Sequence, residues 1–222
     1  MNIQSLYETH HTENARFGFS VLEQERVQWF LAKMKQLWVG QRLLDIGCRD
    51  ATLTKHFLPY FTEVTGVDID SRALERATHT CPSARFLQMD VTGSWETLPA
   101  NGFDVVLCSE VLEHLYFPEK IADQIRRVLA PGGVCIGSVP NAFFLKHRLR
   151  YLLGNRRYTP LEDPTHITQF NQSHLEMVLK RIGPSIKIGG YTRFPFNRLA
   201  DAYPGWWAFD FLFWVQRSPE VL

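Results

Sequence analysis

The chain has 222 residues, 45% of them hydrophobic and 21% charged, and 24 Lys and Arg against 23 Asp and Glu leave a formal net charge of +1. That balance excludes intrinsic disorder and gives no global electrostatic drive toward nucleic acid or a membrane surface; it suits one globular domain with a full-sized core. Less ordinary is the aromatic content of 13%, with ten aromatic residues between Tyr191 and Trp214.

In chain order, apolar residues at Val21, Val27, Phe30, Leu31, Met34 and Leu37 recur near a helical period, and Gly40 closes this leading helix. A short apolar strand over Arg42 to Gly47 follows, then a helical stretch from Ala51 to Leu58 stopped by Pro59. The pattern repeats with strands over Glu63 to Ile69, Ala84 to Met89 and Phe103 to Cys108, and a helix from Ser71 to Thr78. Pro118 opens a helix to about Leu129, Pro131-Gly132-Gly133 ends it, and Val134 to Val139 is a fifth strand. Short strands alternating with helices predict a parallel sheet covered on both faces. Beyond it, Phe143 to Leu153 and Ser173 to Arg181 read as helices. Ile186 to Phe194 and Ala208 to Gln216 read as two strands with no useful helix between them, hence antiparallel neighbours.

Cys48, Cys81, Cys108 and Cys135 form no C-x-x-C pair and read as buried thiols in a reducing compartment. The first 20 residues lack the charged start and apolar run of a secretory signal, and Trp206 to Val215, interrupted by Asp210, is about half the roughly 20 residues a membrane helix needs. A cytoplasmic protein with no membrane span is the expectation.

Ligands of an open α/β sheet bind outside the carboxyl ends of its strands. Here those ends carry Asp45 and Gly47, Asp68 and Asp70, Asp90, Ser109 and Glu110, then Pro140 and Asn141. A dinucleotide fold would place G-x-G-x-x-G after the first strand, yet this chain has only Gly47 there, preceded by an acid that repels a diphosphate and attracts a cation. A ligand with an ammonium or sulfonium at the first strand and a ribose at the second fits those charges.

LLDIGCRDATLT (Leu43 to Thr54), VTGVDID (Val64 to Asp70), QMDV (Gln88 to Val91), FDVVLCSEVLEHL (Phe103 to Leu115) and RRVLAPGGV (Arg126 to Val134) resemble the successive motifs of class I S-adenosylmethionine-dependent methyltransferases, in order and at typical spacing. The resemblance implies a Rossmann-like α/β fold, a seven-stranded mostly parallel sheet with an antiparallel last strand and helices on both faces. It implies S-adenosylmethionine as cofactor, its methionine part against Asp45 and Gly47 and its ribose on Asp68 beside Ile69. The adenine edge would lie at Asp90 and the Val91 backbone, and the sulfonium would face the carbonyl side of Ser109 with Glu110 nearby. One departure is local: the family's loop is D-x-G-x-G-x-G, whereas Arg49 and Ala51 replace the second and third glycines. Asp70 reads as a helix-start residue, Asp90 as either a turn acid or an adenine contact, and Cys48 as a packing residue.

Methyl transfer needs a base only when the acceptor must lose a proton. Candidates are His166 in DPTHITQF (Asp163 to Phe170), then His114, Glu110 and the pair His10 and His11; no metal site is expected. The tail from Val139-Pro140-Asn141 through D-x-x-H resembles small-molecule methyltransferases in which this segment covers the substrate pocket. The expected layout is therefore a lid and helix over residues 1–40 with Tyr7 in the lid, a cofactor-binding core over 41–141, a substrate-covering segment over 142–184 and a terminal strand pair over 185–222. Lys146, Arg148, Arg150, Arg156 and Arg157 form either a solvated face or a rim for an anionic acceptor. The favoured function is methyl transfer to an oxygen or nitrogen of a small molecule by a monomer or homodimer. The alternatives are RNA or protein methylation, disfavoured by the lack of a basic, aromatic-interleaved patch, and a non-catalytic partner-binding protein of the same fold. Phe196, Tyr203, Trp206 and Trp207 are left to cover the sheet end, line an acceptor pocket or form a dimer contact.

Overall fold

The computed structural model describes residues 21–37, 40–192 and 197–219; Tyr7, His10, His11, Phe194 and Phe196 lie outside them. Seven strands are hydrogen-bonded in the order β3-β2-β1-β4-β5-β7-β6. They are β1 (Arg42–Ile46), β2 (Glu63–Asp68), β3 (Arg85–Gln88), β4 (Phe103–Ser109), β5 (Leu129–Pro140), β6 (Ser185–Tyr191) and β7 (Asp210–Gln216). Strands β1 to β5 pair parallel, and β7 runs antiparallel to both β5 and β6. The expected seven-stranded Rossmann-like sheet with an antiparallel last strand is thus the observed one.

Both faces are covered because side chains alternate along each strand. On one face the leading helix α1 (Val21–Leu37) sets Phe30 and Met34 against Leu43, Val105, Leu107, Ile136 and Leu212. On the other, α3 (Pro118–Val128) and α5 (Gln172–Leu179) bring Ile121, Ile125, Leu175 and Val178 to Leu44, Val106, Cys135, Phe211 and Phe213. The aromatic run of β7 therefore divides between the two cores, which absorbs much of the aromatic excess. All four cysteines are buried thiols. Helix α2 (Ser71–Thr80) starts at Asp70, whose carboxylate accepts the N–H groups of Arg72 and Ala73, the cap its sequence position predicts.

Three expectations need correction. Ala51 to Leu58 is not a helix: two 3-10 turns, Thr54–His56 and Leu58–Tyr60, occupy its C-terminal part, since Pro59 denies a longer helix its continuation. Pro131-Gly132-Gly133 does not terminate α3, which ends at Val128. It forms a bulge inside β5, where the register with β4 jumps from Phe103↔Leu129 to Val105↔Val134 and Gly132 takes φ +76°. The link between β6 and β7 contains two short helices, α6 (Asn197–Ala202) and α7 (Pro204–Trp207), although the strands still pair antiparallel. Helix α4 (Leu145–Leu152) completes the list of elements.

Candidate active site

After β1 the chain turns sharply: Gly47, Arg49 and Ala51 all adopt left-handed backbone, φ +71°, +50° and +60°. The loop thus keeps a left-handed path at the positions where the resemblance places glycines, with side chains at two of them. Gly47 is the position that tolerates none, because an added Cβ would lie 2.5 Å from Val111 Cγ2. Arg49 N–H donates to Asp68 Oδ2 at 2.8 Å and Asp70 N–H to Asp68 Oδ1 at 2.9 Å, so the loop and α2 both hang on the carboxylate that ends β2. Asp45 is buried and accepts a 2.6 Å hydrogen bond from the Thr54 hydroxyl. Burial pushes its carboxyl up to about 7, against the Thr54 hydrogen bond and with the Asp68 charge adding to the rise.

At the end of β3 the exposed Asp90 shapes a turn, its Oδ1 accepting the N–H and hydroxyl of Thr92 at 2.8 and 2.7 Å. The half-buried Val91 gives its carbonyl to Trp95 Nε1, and Gln88 Nε2 donates to the Ile69 carbonyl. At the end of β4, Ser109 and Ser138 hydroxyls lie 2.8 Å apart and Ser138 donates to Glu110 Oε1 at 2.7 Å. Glu110 is left-handed, φ +57°, which turns it off the strand toward β5.

Four residues the sequence reading passed over meet at this end. Arg26 of α1 approaches Glu110 at 3.5 Å and Asp210 at 3.3 Å, and Tyr191 donates a 2.5 Å hydrogen bond to Asp210. Ser138 joins them through Glu110. Burial would discharge Arg26, but Glu110, Tyr191 and Asp210 hold its guanidinium charged, above its ordinary value. Burial and the Glu110 charge push Asp210 up to about 7, with Arg26 opposing. The signal available for Asp210 was its place as the single charge in an apolar strand run.

His114 and His166 come together, ring centroids 5.0 Å apart at 61°. Between Leu112 and His114 a 3-10 turn also delivers Glu113, buried, so that one donor atom from each of Glu113, His114 and His166 lies within 4.8 Å of the others. Thr168 staples the two segments, its N–H to Glu113 O at 2.8 Å and its hydroxyl to Leu115 O at 2.6 Å. His114 Nδ1 meets the Thr165 carbonyl at 2.9 Å. A carbonyl only accepts, so Nδ1 carries the hydrogen and Nε2 keeps its lone pair. Burial lowers the His114 pKa, with the Thr165 contact opposing, which keeps the ring neutral. The expectation that named His114, His166 and Glu110 omitted Glu113, although Glu110-Val-Leu-Glu113-His114 stands in one turn of sequence.

Two side chains of the basic segment, those of Arg148 and Arg150, are engaged with the protein. Arg148 stacks 4.2 Å over the Trp206 ring and donates to the Phe143 carbonyl, and Arg150 donates to the Arg157 carbonyl. Trp207 packs against the core, while Trp206 and Tyr203 are 52% and 63% exposed, so monomer packing accounts for one of the two tryptophans.

Sheet order, the Gly47 loop and acids at successive strand ends define a Rossmann-like domain of the methyltransferase class. Residues 16–185 match the methyltransferase domain family model, and the chain belongs to that family. It is 32% identical over 136 residues to a protein of Psychrobacter arcticus named ubiquinone biosynthesis O-methyltransferase, covering 58% of this chain and 50% of that one. A Vibrio atlanticus protein of the same name is 25% identical over 182 residues, covering 80% of this chain and 76% of its own. Among the curated relatives it matches, the chain spans about half the length of the Psychrobacter protein. The N-methyltransferase NodS from Bradyrhizobium japonicum, solved with S-adenosyl-L-homocysteine, shares the fold at TM-score 0.67 and 18% identity, covering 99% of this chain and all of that one. Among the described residues no helix is long and apolar enough to cross a membrane.

Proposed function

We propose that the chain methylates an oxygen of a small-molecule acceptor. The observation that carries this reading is the juxtaposition of two half-sites. The Gly47 loop, flanked by Asp45 and Asp68, lies against Val111 in the segment that also carries Glu110, Glu113 and His114. The donor set suits the cofactor: two acids flank a left-handed turn, matching a cation and a ribose diol and repelling a diphosphate. Asp68, fixed by two backbone N–H groups, would accept the ribose hydroxyls; Asp45 would face the ammonium, whose charge favours its ionised form. S-adenosylmethionine supplies an electrophilic methyl group on a sulfonium.

The remaining work falls to the far half-site. Neutral His114 is suited to take the proton of an acceptor hydroxyl, and Glu110 is placed to stabilise the positive charge a histidine then carries. Holding the nucleophile in line supplies most of the acceleration in such a displacement. Oxygen is favoured over nitrogen because a base is required at a hydroxyl and because the curated relatives are named O-methyltransferases. Calorimetric titration with S-adenosylmethionine and label transfer from its methyl group into a metabolite extract test this. Micromolar binding with a labelled ether or ester supports the reading; no binding at millimolar cofactor, or label only in amines, defeats it.

A further inference from the structure

We infer that Asn155, Arg156 and Arg157 form a site for a phosphate group, and that this site holds the charged end of the methyl acceptor; the acceptor role rests on the proposed O-methylation. With Gly154 and Glu162 these residues line an open recess of about 430 Å³ after α4, a volume in the range of small-ligand clefts. No Asp or Glu stands between Asp123 and Glu162, so the arginines of this stretch have no acid of their own to pair with. Arg127 is spent on the Trp95 and Leu98 carbonyls, Arg148 on the Trp206 ring and Arg150 on the Arg157 carbonyl. Arg156 and Arg157 differ: among the described residues neither guanidinium has an acid, carbonyl or ring partner. Glu162, the acid among the lining residues, already accepts the Tyr158 N–H at 2.6 Å through Oε2. Two cations thus face one partly engaged anion.

The loop that carries the two arginines is held in one shape. Gly154 and Tyr158 are left-handed, φ +66° and +57°, and for a residue as bulky as tyrosine that conformation is an outlier its surroundings must enforce. Glu162 takes the Tyr158 N–H, and Arg150 sits 5.5 Å over the Tyr158 ring while donating to the Arg157 carbonyl at 2.6 Å. Asn155 Oδ1 accepts the Arg157 N–H at 2.9 Å, and the Thr159 hydroxyl donates to the Arg156 carbonyl at 2.6 Å. The loop therefore satisfies these backbone groups internally and leaves the side chains of Arg156 and Arg157 exposed at its open face. With Oδ1 engaged, Asn155 keeps its Nδ2 hydrogens as a third donor group. A merely solvated loop gains nothing from an enforced left-handed tyrosine. A loop that presets its donors does, because a prearranged site loses less freedom when the ligand arrives.

Two guanidinium forks and an amide suit an anion with three oxygens and more than one charge, which describes a phosphate group better than a carboxylate. The recess is tied to the acceptor half-site from both ends. On one side α4 leads back to β5, where His147 Nδ1 meets the carbonyl of the buried Asn141 at 3.1 Å. On the other, Thr165 follows Glu162 by three residues, which span at most about 11 Å, and its carbonyl holds the His114 ring at 2.9 Å. A molecule with its phosphate in the recess and a hydroxyl near His114 bridges a distance on the scale of a sugar phosphate or a nucleotide. The phosphate itself takes no part in the transfer. The hydroxyl oxygen bonds the methyl carbon as the S–C bond breaks, its proton passes to His114, and the sulfonium becomes a neutral thioether.

The test uses the full chain, titrated with inorganic pyrophosphate by calorimetry at low salt. One ion per chain at submillimolar affinity is expected, weakened about 10-fold or more in the double variant Arg156→Gln, Arg157→Gln. Arg126→Gln, which removes one charge beside the start of β5, should leave that affinity within about twofold. In a metabolite extract, methyl label should fall about 10-fold or more in the double variant while S-adenosylmethionine affinity stays within about threefold. Pretreating the extract with alkaline phosphatase and phosphodiesterase should abolish the labelled product. No pyrophosphate binding below millimolar, equal binding by wild type and double variant, or binding only to phosphatidylglycerol vesicles overturns the site. Transfer to an oxygen that survives the enzyme pretreatment overturns the phosphate-bearing acceptor and leaves O-methylation standing. Label only in amines, with pyrophosphate bound by wild type and lost in the double variant, sinks O-methylation and leaves the phosphate site standing.

Discussion

The two halves of the site are built on opposite plans. At the ends of β1 and β2, Asp45 and Asp68 have dedicated donors, Thr54 for one and the Arg49 and Asp70 N–H groups for the other, all from the contiguous stretch 45–70. At the ends of β4 and β7, carboxylates outnumber cations. Glu110, Glu113 and Asp210 share one arginine, and the groups come from four separated segments around residues 26, 110, 165 and 200. On the proposed reading, the first half is shaped for the cofactor and the second holds charge in reserve for an acceptor and its proton.

The largest expected effect lies at the cation of the second half. Arg26→Met removes the guanidinium that compensates Asp210 and Glu110, and breaking a buried pair costs about 3 to 5 kcal/mol. Urea denaturation at pH 8 should show that loss. Asp210 can neutralise by taking a proton, and without Arg26, which holds its carboxyl down, it does so above about 7, so the loss should shrink as pH falls toward about 7 and level off below it. An equal loss at pH 6 and pH 8 would mean that Arg26 contributes by packing its stem alone.

Next is Asp68→Ala, in the first half. On the proposed reading it deletes the acceptor for two ribose hydroxyls, and charged hydrogen bonds contribute about 1.5 to 3 kcal/mol each, so cofactor affinity should fall about 100-fold by calorimetry. The same titration in Arg26→Met should fall far less. If the two variants lost affinity equally, the division of the site into halves would fail.

How legible these halves were follows from how they are built. Asp45, Gly47 and Asp68 sit at strand ends in one stretch of sequence, where strand periodicity and a single glycine locate them without tertiary knowledge. The antiparallel pairing of β6 with β7 was legible for the same reason, since apolar runs and connection lengths are local quantities, whereas the seven-stranded sheet was implied by the resemblance and its strand order was read only from the structure. The pairing of Arg26 with Asp210 spans 184 residues. No periodicity links an arginine on a helix to an acid in an apolar strand, and only the sheet order that sets β7 beside β5 brings them together. His114 and His166 were named singly for their chemistry, but Glu113 was not, because its burial is created by the segment that folds over it.

A smaller effect distinguishes the halves by pH. Asp45 binds a proton in the folded, ligand-free chain up to about pH 7, whereas a cationic ligand requires it ionised. Cofactor affinity should therefore rise about tenfold per unit as pH increases toward 7 and level off above it, with one proton released on binding below that point. Calorimetry in buffers of different ionisation enthalpy reads that proton directly. The sign for stability is opposite: a carboxyl raised from 3.8 in the unfolded chain makes the ligand-free protein lose stability as pH climbs from about 4 to 7. Flat affinity from pH 5.5 to 8 would remove Asp45 from the cofactor's cationic end.

The smallest effect concerns one of the two positions where the first half departs from the loop pattern of the family it resembles. Ala51 holds φ +60° with its methyl buried among Ala77 and Cys81. In Ala51→Gly, relief of the left-handed strain gains about 1 to 2 kcal/mol. Against it stand the buried methyl, about 0.8 kcal/mol, and the extra freedom of glycine in the unfolded chain, about 0.5 to 1 kcal/mol. The terms nearly cancel, so urea denaturation should place the variant within about 1 kcal/mol of wild type, with cofactor affinity changed no more than a few-fold. A larger loss would show that the methyl, and not the loop's φ angles, keeps the turn closed over Asp45. A gain above 1 kcal/mol would show that the strain at Ala51 is retained at a cost to stability, and would shift attention to what a side chain there does for the ligand.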